Sequence, residues 1–161
     1  NFKKIFNGRV MGRKIVFFLF GFCICTFASI PKILVGSPIR QKPAILNEFL
    51  ESLKRLDKKN YELDYYFVDD NDREESRSIL NAFRELMGSK CHLLGSGQAS
   101  SSYVCNEITH YWKDDLIWKV AGFKDQIIGF AREHEYDYLF LIDSDLVLHP
   151  STIDRLIAVS L

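Results

Sequence analysis

The stretch Tyr138-Leu-Phe-Leu-Ile-Asp-Ser-Asp-Leu-Val-Leu148 decides the fold, because it is an apolar run with two aspartates set into it. Apolar runs that contain Phe and Ile are typical of a strand buried in a mostly parallel sheet. Asp143 and Asp145 should then lie at the carboxyl end of that strand, with both carboxylates on one side and Ser144 on the other. Ligands of open α/β sheets bind at such strand ends, and paired carboxylates there suit a divalent cation. The stretch therefore predicts a metal site at Asp143 and Asp145. The alternative interpretation is a strand end followed by a solvated acidic turn.

The chain before this stretch alternates between strand and helix patterns. Apolar runs predict strands near residues 32–36, 63–68, 91–94 and 138–142. Apolar residues at helical spacing predict helices over residues 45–56, 76–87 and from 117 onward. Residues 96–102 are expected to form a polar loop, residues 103–118 a loop with a partial helix, and the residues after Pro150 a further helix. Alternating strands and helices predict an α/β fold, a three-layer sandwich with a mostly parallel sheet and the strand at 138–142 in a central place.

Length and charge narrow the class of protein. The chain has 161 residues, of which 47% are hydrophobic, enough for one domain with a substantial core. Five basic and no acidic residues precede residue 31, which leaves 16 basic against 21 acidic residues in the remainder. That balance argues against a nucleic-acid-binding surface. The four cysteines lack the spacing of a zinc site and are interpreted as free thiols.

The amino-terminal segment, residues 1–30, is basic and then hydrophobic, and we separate it from a domain at residues 31–161. Residues 15–30 carry no charge, but their length lies between that of a signal-peptide apolar region and that of a membrane span. Three interpretations remain: a signal peptide or short membrane anchor, which we favour, a buried structural segment, or sequence outside the domain. The predicted location is cytoplasmic, and an anchor at residues 15–30 would add association with a membrane.

Acidic residues follow the second predicted strand as Asp69-Asp70-Asn71-Asp72. Asn71 or Asp72 could cap the next helix by accepting its free amide hydrogen bonds. Alternatively, a carboxylate at this strand end accepts hydrogen bonds from the base or ribose of a nucleotide. No glycine-rich phosphate loop is present, so bound phosphates would need another counter-charge, which a metal at Asp143 and Asp145 would supply.

Three motifs together resemble the amino-terminal half of a GT-A fold glycosyltransferase of the broad family 2 type. They are Lys32-Ile-Leu-Val-Gly-Ser-Pro-Ile-Arg40, Phe67-Val-Asp-Asp-Asn71 and Leu139-Phe-Leu-Ile-Asp-Ser-Asp-Leu-Val-Leu-His-Pro150. The resemblance implies a Rossmann-like nucleotide-binding half and a metal-dependent transferase. Its donor would be a nucleotide-diphosphate sugar, its cofactor Mn²⁺ or Mg²⁺, and its acceptor an unidentified glycan, lipid or protein.

The same resemblance assigns roles to residues. Pro38 and Arg40 would border the base, and Asp69 or Asp70 would hold the base or ribose. Asp143 would reach the ribose and the metal, and Asp145 the metal. Lys119 and Lys124 fall where such enzymes often have a basic residue near the cleft. The histidines are interpreted as surface residues, although His149 lies four residues past Asp145 and on the same side of the predicted site.

The resemblance also implies that the acceptor-binding half and the catalytic base lie beyond Leu161. We therefore expect the 31–161 domain to be truncated after the Asp-x-Asp motif and inactive in transfer on its own. Inversion of configuration at the anomeric carbon during transfer is also implied only by the resemblance. Two alternatives remain. Asp143-Ser-Asp-Leu-Val147 also fits the motif of haloacid-dehalogenase-type phosphatases, in which the first Asp is the nucleophile, and a third hypothesis is a non-catalytic nucleotide-binding fragment.

Overall fold

The structure is a computed structural model that describes residues 30–97 and 114–160. Its strands are β1 (Lys32–Ile39), β2 (Glu62–Asp69), β3 (Cys91–Gly95) and β4 (Tyr138–Leu141). Its helices are α1 (Pro43–Lys54), α2 (Glu74–Met87), α3 (Asp114–Glu133) and α4 (Thr152–Ser160), and a single 3-10 turn, Gly88–Lys90, joins α2 to β3. The predicted strands and helices are all present, with bounds that move by a few residues.

The four strands form one parallel sheet in the order β3, β2, β1, β4. The chain passes from β1 outward to β3 through α1 and α2. It then returns along α3 and adds β4 on the free side of β1, where Ile33 lies opposite Tyr138. The direction of winding reverses between β1 and β4, and such a switch point leaves a crevice at the carboxyl ends of the two strands.

Helices cover both faces of the sheet and bury two apolar clusters. On one face, Phe49 of α1 and Phe83 of α2 pack with Tyr65 and Phe67 of β2. On the opposite face, Phe123 and Ile127 of α3 pack with strand residues such as Leu34 and Val68. The predicted three-layer α/β sandwich is confirmed.

The close packing of α3 on β1 depends on Gly36. This glycine lies in the middle of β1, and a methyl group added to it would overlap the side chain of Ile127. Absence of a side chain at Gly36 therefore lets α3 approach the sheet near the carboxyl end of β1.

The last strand differs from its predicted form. β4 ends at Leu141, and within the described sheet it lies at an edge with its residues only partly buried. The expectation of a buried strand in a central place was therefore wrong for the described sheet. The chain leaves the sheet after Ile142, whose amide donates to the Gly36 carbonyl at 3.0 Å, and turns at Ser144 and Asp145. Charged side chains at this point keep their hydration by leaving the sheet.

Two further expectations meet the structure only in part. Residues 114–118 are already helical, since α3 begins at Asp114, whereas the rest of the expected loops at 96–102 and 103–118 lies mostly outside the described residues. The interpretations of residues 1–30 fall almost wholly outside them. Within the described ranges, none of the helices has the length and hydropathy needed to cross a membrane.

Candidate functional site

A cavity of about 400 Å³ opens at the switch point, and we call it the strand-end cavity. Its walls come from the end of β1, from the residue after β2, from α3, and from the turn after β4. The lining residues are Pro38, Ile39, Arg40, Gln41, Asp70, Leu116, Val120, Phe123, Lys124, Asp143, Ser144 and Asp145. The topology thus brings together residues from all three motifs that carried the resemblance, together with residues of α3.

The loop after β1 is held by a buried amide side chain. Asn71 accepts a hydrogen bond from the backbone N–H of Gln41 at 2.8 Å, and Ser76 donates its hydroxyl to the Gln41 carbonyl at 2.7 Å. Neither Asn71 nor Asp72 caps α2, because the N-cap residue is Arg73 and no side chain bonds to the helix end. The capping explanation for these residues was therefore wrong. Sequence reasoning missed that Asn71 organises the loop, since its partner is distant in the chain.

Asp69 and Asp70 lie in different environments, although they are neighbours in the chain. The Oδ1 atom of Asp69 accepts from both the backbone amide and the side-chain amide of Asn71, at 3.0 and 2.7 Å, and Asp69 does not line the cavity. Asp70 does line the cavity, with 8% of its side chain exposed. The prediction that one of these two residues meets a nucleotide therefore rests on Asp70.

Asp70 is surrounded by cations. Its Oδ1 atom lies 2.7 Å from Lys119 Nζ, and its Oδ2 atom lies 3.6 Å from Arg40 Nη1. Arg40 also contacts Asp72, with Nη2 and Oδ2 3.2 Å apart. Charge-assisted contacts of this kind fix the orientation of long side chains. The guanidinium of Arg40 is thus held at the cavity by two carboxylates.

Asp143 and Asp145 both reach the cavity, although by a different route from the one predicted. They lie in the turn after β4 rather than on an extended strand, and both are exposed while Ser144 between them is buried. The Oδ1 atom of Asp143 lies 3.6 Å from Lys124 Nζ on α3. His149 does not line the cavity, and its Nδ1 atom instead bonds with Ser151 at the start of α4.

The carboxylates suit a hard divalent cation that shares its coordination with a ligand. In the described ranges, no group of three or more His, Cys, Asp or Glu side chains could enclose a metal ion. Mg²⁺ is characteristically held by one or two carboxylates, with water and substrate phosphates filling the other positions. Asp143 and Asp145 offer that donor set in an open position, so these residues fit such an ion.

Positive and negative charges nearly balance around the strand-end cavity. Among the described residues, three cations, Arg40, Lys119 and Lys124, lie at or beside the cavity with four carboxylates, Asp70, Asp72, Asp143 and Asp145. A diphosphate entering this cavity would therefore gain little net attraction from the side chains alone. Additional positive charge, such as that of a divalent cation, would change the balance in its favour.

A parallel sheet with a cavity at its switch point and two carboxylates after β4 fits the GT-A class of glycosyltransferases. Within that class, the chain belongs to glycosyltransferase family 25, whose N-terminal domain matches residues 30–161. The resemblance to GT-A enzymes is confirmed, and the family is 25 where the motifs had indicated a broad family 2 type. This assignment decides against the haloacid-dehalogenase-type phosphatase.

Two relatives illustrate the match. A curated glycosyltransferase 25 family member from Aedes aegypti is 27% identical over 135 residues, covering 81% of this chain and 22% of that protein. The crystal structure of S. aureus TarS 1–349 is similar in fold, with a TM-score of 0.50 and 18% identity over 79% of this chain and 31% of that chain. The chain therefore spans about a fifth of the length of the curated relative.

Proposed function

We propose that this chain binds the donor of a glycosyltransferase that moves a sugar from a nucleotide-diphosphate donor to an acceptor hydroxyl with the help of Mn²⁺ or Mg²⁺. The observation that carries the proposal is the convergence of Arg40 and Asp70 with Asp143 and Asp145 on one cavity at the switch point of the sheet. Membership in a glycosyltransferase family supports the reaction class. The acceptor is proposed to be a glycan, carried by lipid or protein or free.

The nucleoside is proposed to lie against the loop after β1. Pro38 and Gln41 supply a surface there, and Arg40 and Asp70 supply charges that base or ribose groups can meet. The diphosphate would lie toward Asp143 and Asp145, with Asp143 also near the ribose. In this placement the nucleoside and the diphosphate lie on opposite sides of the strand-end cavity. It follows the general rule that ligands of parallel sheets bind at the carboxyl ends of the strands.

A bound divalent ion would supply Lewis-acid stabilisation of the negative charge that develops on the departing nucleoside diphosphate. Asp143 and Asp145 would hold that ion and orient it. Lys124, whose Nζ atom lies 3.6 Å from Asp143 Oδ1, would contribute a further positive charge close to the same phosphates. We assign no catalytic base among the described residues, because the cavity carboxylates already have roles in donor binding.

Titration calorimetry tests the proposal directly. Uridine diphosphate and guanosine diphosphate would each be titrated into the chain with Mn²⁺, with Mg²⁺, and with a chelator. We expect binding that is measurable with the metal and at least tenfold weaker without it, since both carboxylates repel the diphosphate when no cation is bound. Equal affinity with and without metal would contradict the metal role, and binding of neither nucleotide would contradict the donor-binding role.

A further inference from the structure

The first half of α3 lacks the apolar anchors that hold the second half. The buried residues of this helix are Phe123, Ile127 and Ala131, all of which lie in its last 11 residues. Before them, Ile117 is exposed and Trp118 has 76% of its surface exposed. Hydrophobic burial therefore accounts for the attachment of residues 123–133 far better than for that of residues 114–122.

One side chain in the first half of α3 is nonetheless deeply buried. The Lys119 side chain is 7% exposed, and its ammonium contacts the equally buried Asp70 carboxylate at 2.7 Å. The stem of Lys119 places its ammonium 5.6 Å from the ring centre of Phe123, the first apolar anchor of the helix. Lys119 thus connects the poorly anchored half of α3 to the residue that directly follows β2.

Desolvation makes a buried ion pair a weak source of net stability, although losing one partner is costly because a buried charge is left alone. The Lys119–Asp70 pair instead fixes how the segments that carry these residues are oriented relative to one another. Asp70 faces Lys119 with one oxygen and Arg40 with the other, so it connects the end of β2, the loop after β1 and α3. Leu116 and Val120, which line one side of the strand-end cavity, lie in the half of α3 that this contact fixes.

We infer that Lys119 is a positioning residue: its buried ion pair with Asp70 fixes the first half of α3 and so sets the shape of the strand-end cavity for the nucleotide. Asp70, with one oxygen facing Lys119 and the other facing Arg40, is the partner that holds Lys119 in this position. The consequence for nucleotide binding rests on the proposed function, whereas the attachment of the helix does not.

A double-mutant cycle tests the inference with Lys119→Met, Asp70→Leu and the two combined. Lys119→Met leaves Asp70 as a buried charge without its closest partner, and Asp70→Leu does the same to Lys119. The combined variant replaces the ion pair by an apolar contact of similar length, a change that is often neutral or stabilising. Lys119→Arg keeps the charge and serves as the conservative variant. Lys54→Met, which breaks the exposed Lys54–Glu51 pair on α1, is the matched control.

Hydrogen exchange followed by mass spectrometry measures how well the backbone amides of α3 are protected, without any ligand. We expect each single variant to exchange at least tenfold faster in peptides from residues 114–122, with peptides from 123–133 unchanged. The combined variant should return to the unmutated rate, Lys119→Arg should lie close to it, and Lys54→Met should show no change. Faster exchange throughout the chain, or unchanged exchange in 114–122, would overturn the inference.

Nucleotide affinity in the presence of Mn²⁺ reads out the consequence in the Lys119 variants. Lys119→Met should bind uridine diphosphate about tenfold or more weakly, and Lys119→Arg should stay within about threefold of the unmutated protein. A Lys119→Met variant with faster helix exchange but unchanged affinity would overturn the link between the helix and the cavity, and one with unchanged helix exchange but weaker affinity would show direct contact of Lys119 with the nucleotide and overturn the positioning role. If the unmutated protein binds no nucleotide, the proposed function fails, and the exchange data still decide whether the ion pair holds the helix.

Discussion

Single residues decide the chemistry of the strand-end cavity, and Asp145 is the most informative of them. Asp143 is paired with Lys124, whereas Asp145 is exposed at the cavity with no ion pair to a described residue. Removing the charge of Asp145 should therefore affect a bound cation without releasing a neighbouring lysine. This difference makes Asp145 the better position at which to test the proposed metal site.

Asp145→Asn should remove most of the metal dependence of nucleotide binding. The amide keeps one oxygen ligand but loses the charge that attracts the cation, so we expect the affinity for Mn²⁺ to fall by about tenfold or more. Calorimetric titration of the nucleotide with and without Mn²⁺ measures the effect. Asp125→Asn, an exposed change on α3 outside the cavity, is the control and should behave as the unmutated protein. Full metal dependence in Asp145→Asn would remove this residue from the metal site.

At the scale of single residues, a feature could be predicted from the sequence when its cause lies in a short stretch of the chain, and could not when its cause is a distant contact. The spacing of Asp143 and Asp145 placed both at the end of a strand, because that depends only on a short local pattern. The turn that exposes both carboxylates around a buried Ser144 was not foreseen, since it depends on where pairing with β1 stops. The contact of Asp70 with Lys119 joins residues 49 positions apart, and no local pattern in the sequence indicates it.

At the scale of elements, the cavity depends on how closely α3 lies on β1. Gly36 faces Ile127 at this interface, and its Cα has no side chain to hold the helix away. The sequence analysis recognised β1 and α3 from their apolar patterns. It gave no reason for a glycine in the middle of the strand, because that reason is Ile127, which lies 91 residues further along the chain.

Gly36→Ala should destabilise the protein by about 1–3 kcal/mol, because the added methyl group overlaps Ile127 and the close packing must give way. Urea unfolding followed by circular dichroism measures the change. Gly129→Ala on α3 is the matched control: a methyl group there meets no atom within 4 Å. Since alanine favours helix over glycine, that control should raise stability by up to about 1 kcal/mol. A stable Gly36→Ala variant would show that the interface is looser than described.

For the molecule as a whole, buried acidic groups that stay neutral link stability to pH. Burial raises the pKa of the Cys91 thiol from 9.0 to about 12. Burial, together with the charges of Asp154 and Asp57, raises the pKa of Tyr61 from 10.0 to about 12. Burial likewise raises the pKa of Tyr65. The fold therefore favours the protonated form of each group over its ionised form.

Stability should consequently fall at alkaline pH. Below about pH 9 the thiol and the phenols are protonated in the folded and unfolded chain alike, and their contribution is fully present. As the pH rises through the unfolded pKa values toward about 12, the unfolded chain loses protons that the folded chain retains, and the contribution is lost. Thermal unfolding from pH 7 to 12 should show a constant Tm up to about pH 9 and a steady decrease above it.

Cys91→Ala provides the control, because it removes the group whose unfolded pKa is lowest. The decrease in Tm should then begin about one pH unit higher, where the phenols start to ionise. A Tm that stays constant to pH 11 in the unmutated protein would contradict the burial of these groups.

β1 lies between β2 and β4 in the sheet, and this order has a consequence for synthesis on the ribosome. Ile33 is translated long before Tyr138, its partner across the sheet 105 positions later. At about 5–20 residues per second, the two emerge roughly 5–20 s apart. Throughout that interval the nascent chain can pair β1 with β2, and β2 with β3, while the backbone N–H and C=O groups on the other edge of β1 remain unpaired and open to chaperones or to other nascent chains. The strand-end cavity, whose lining includes Asp143 and Asp145, therefore cannot form until the turn after β4 has been translated.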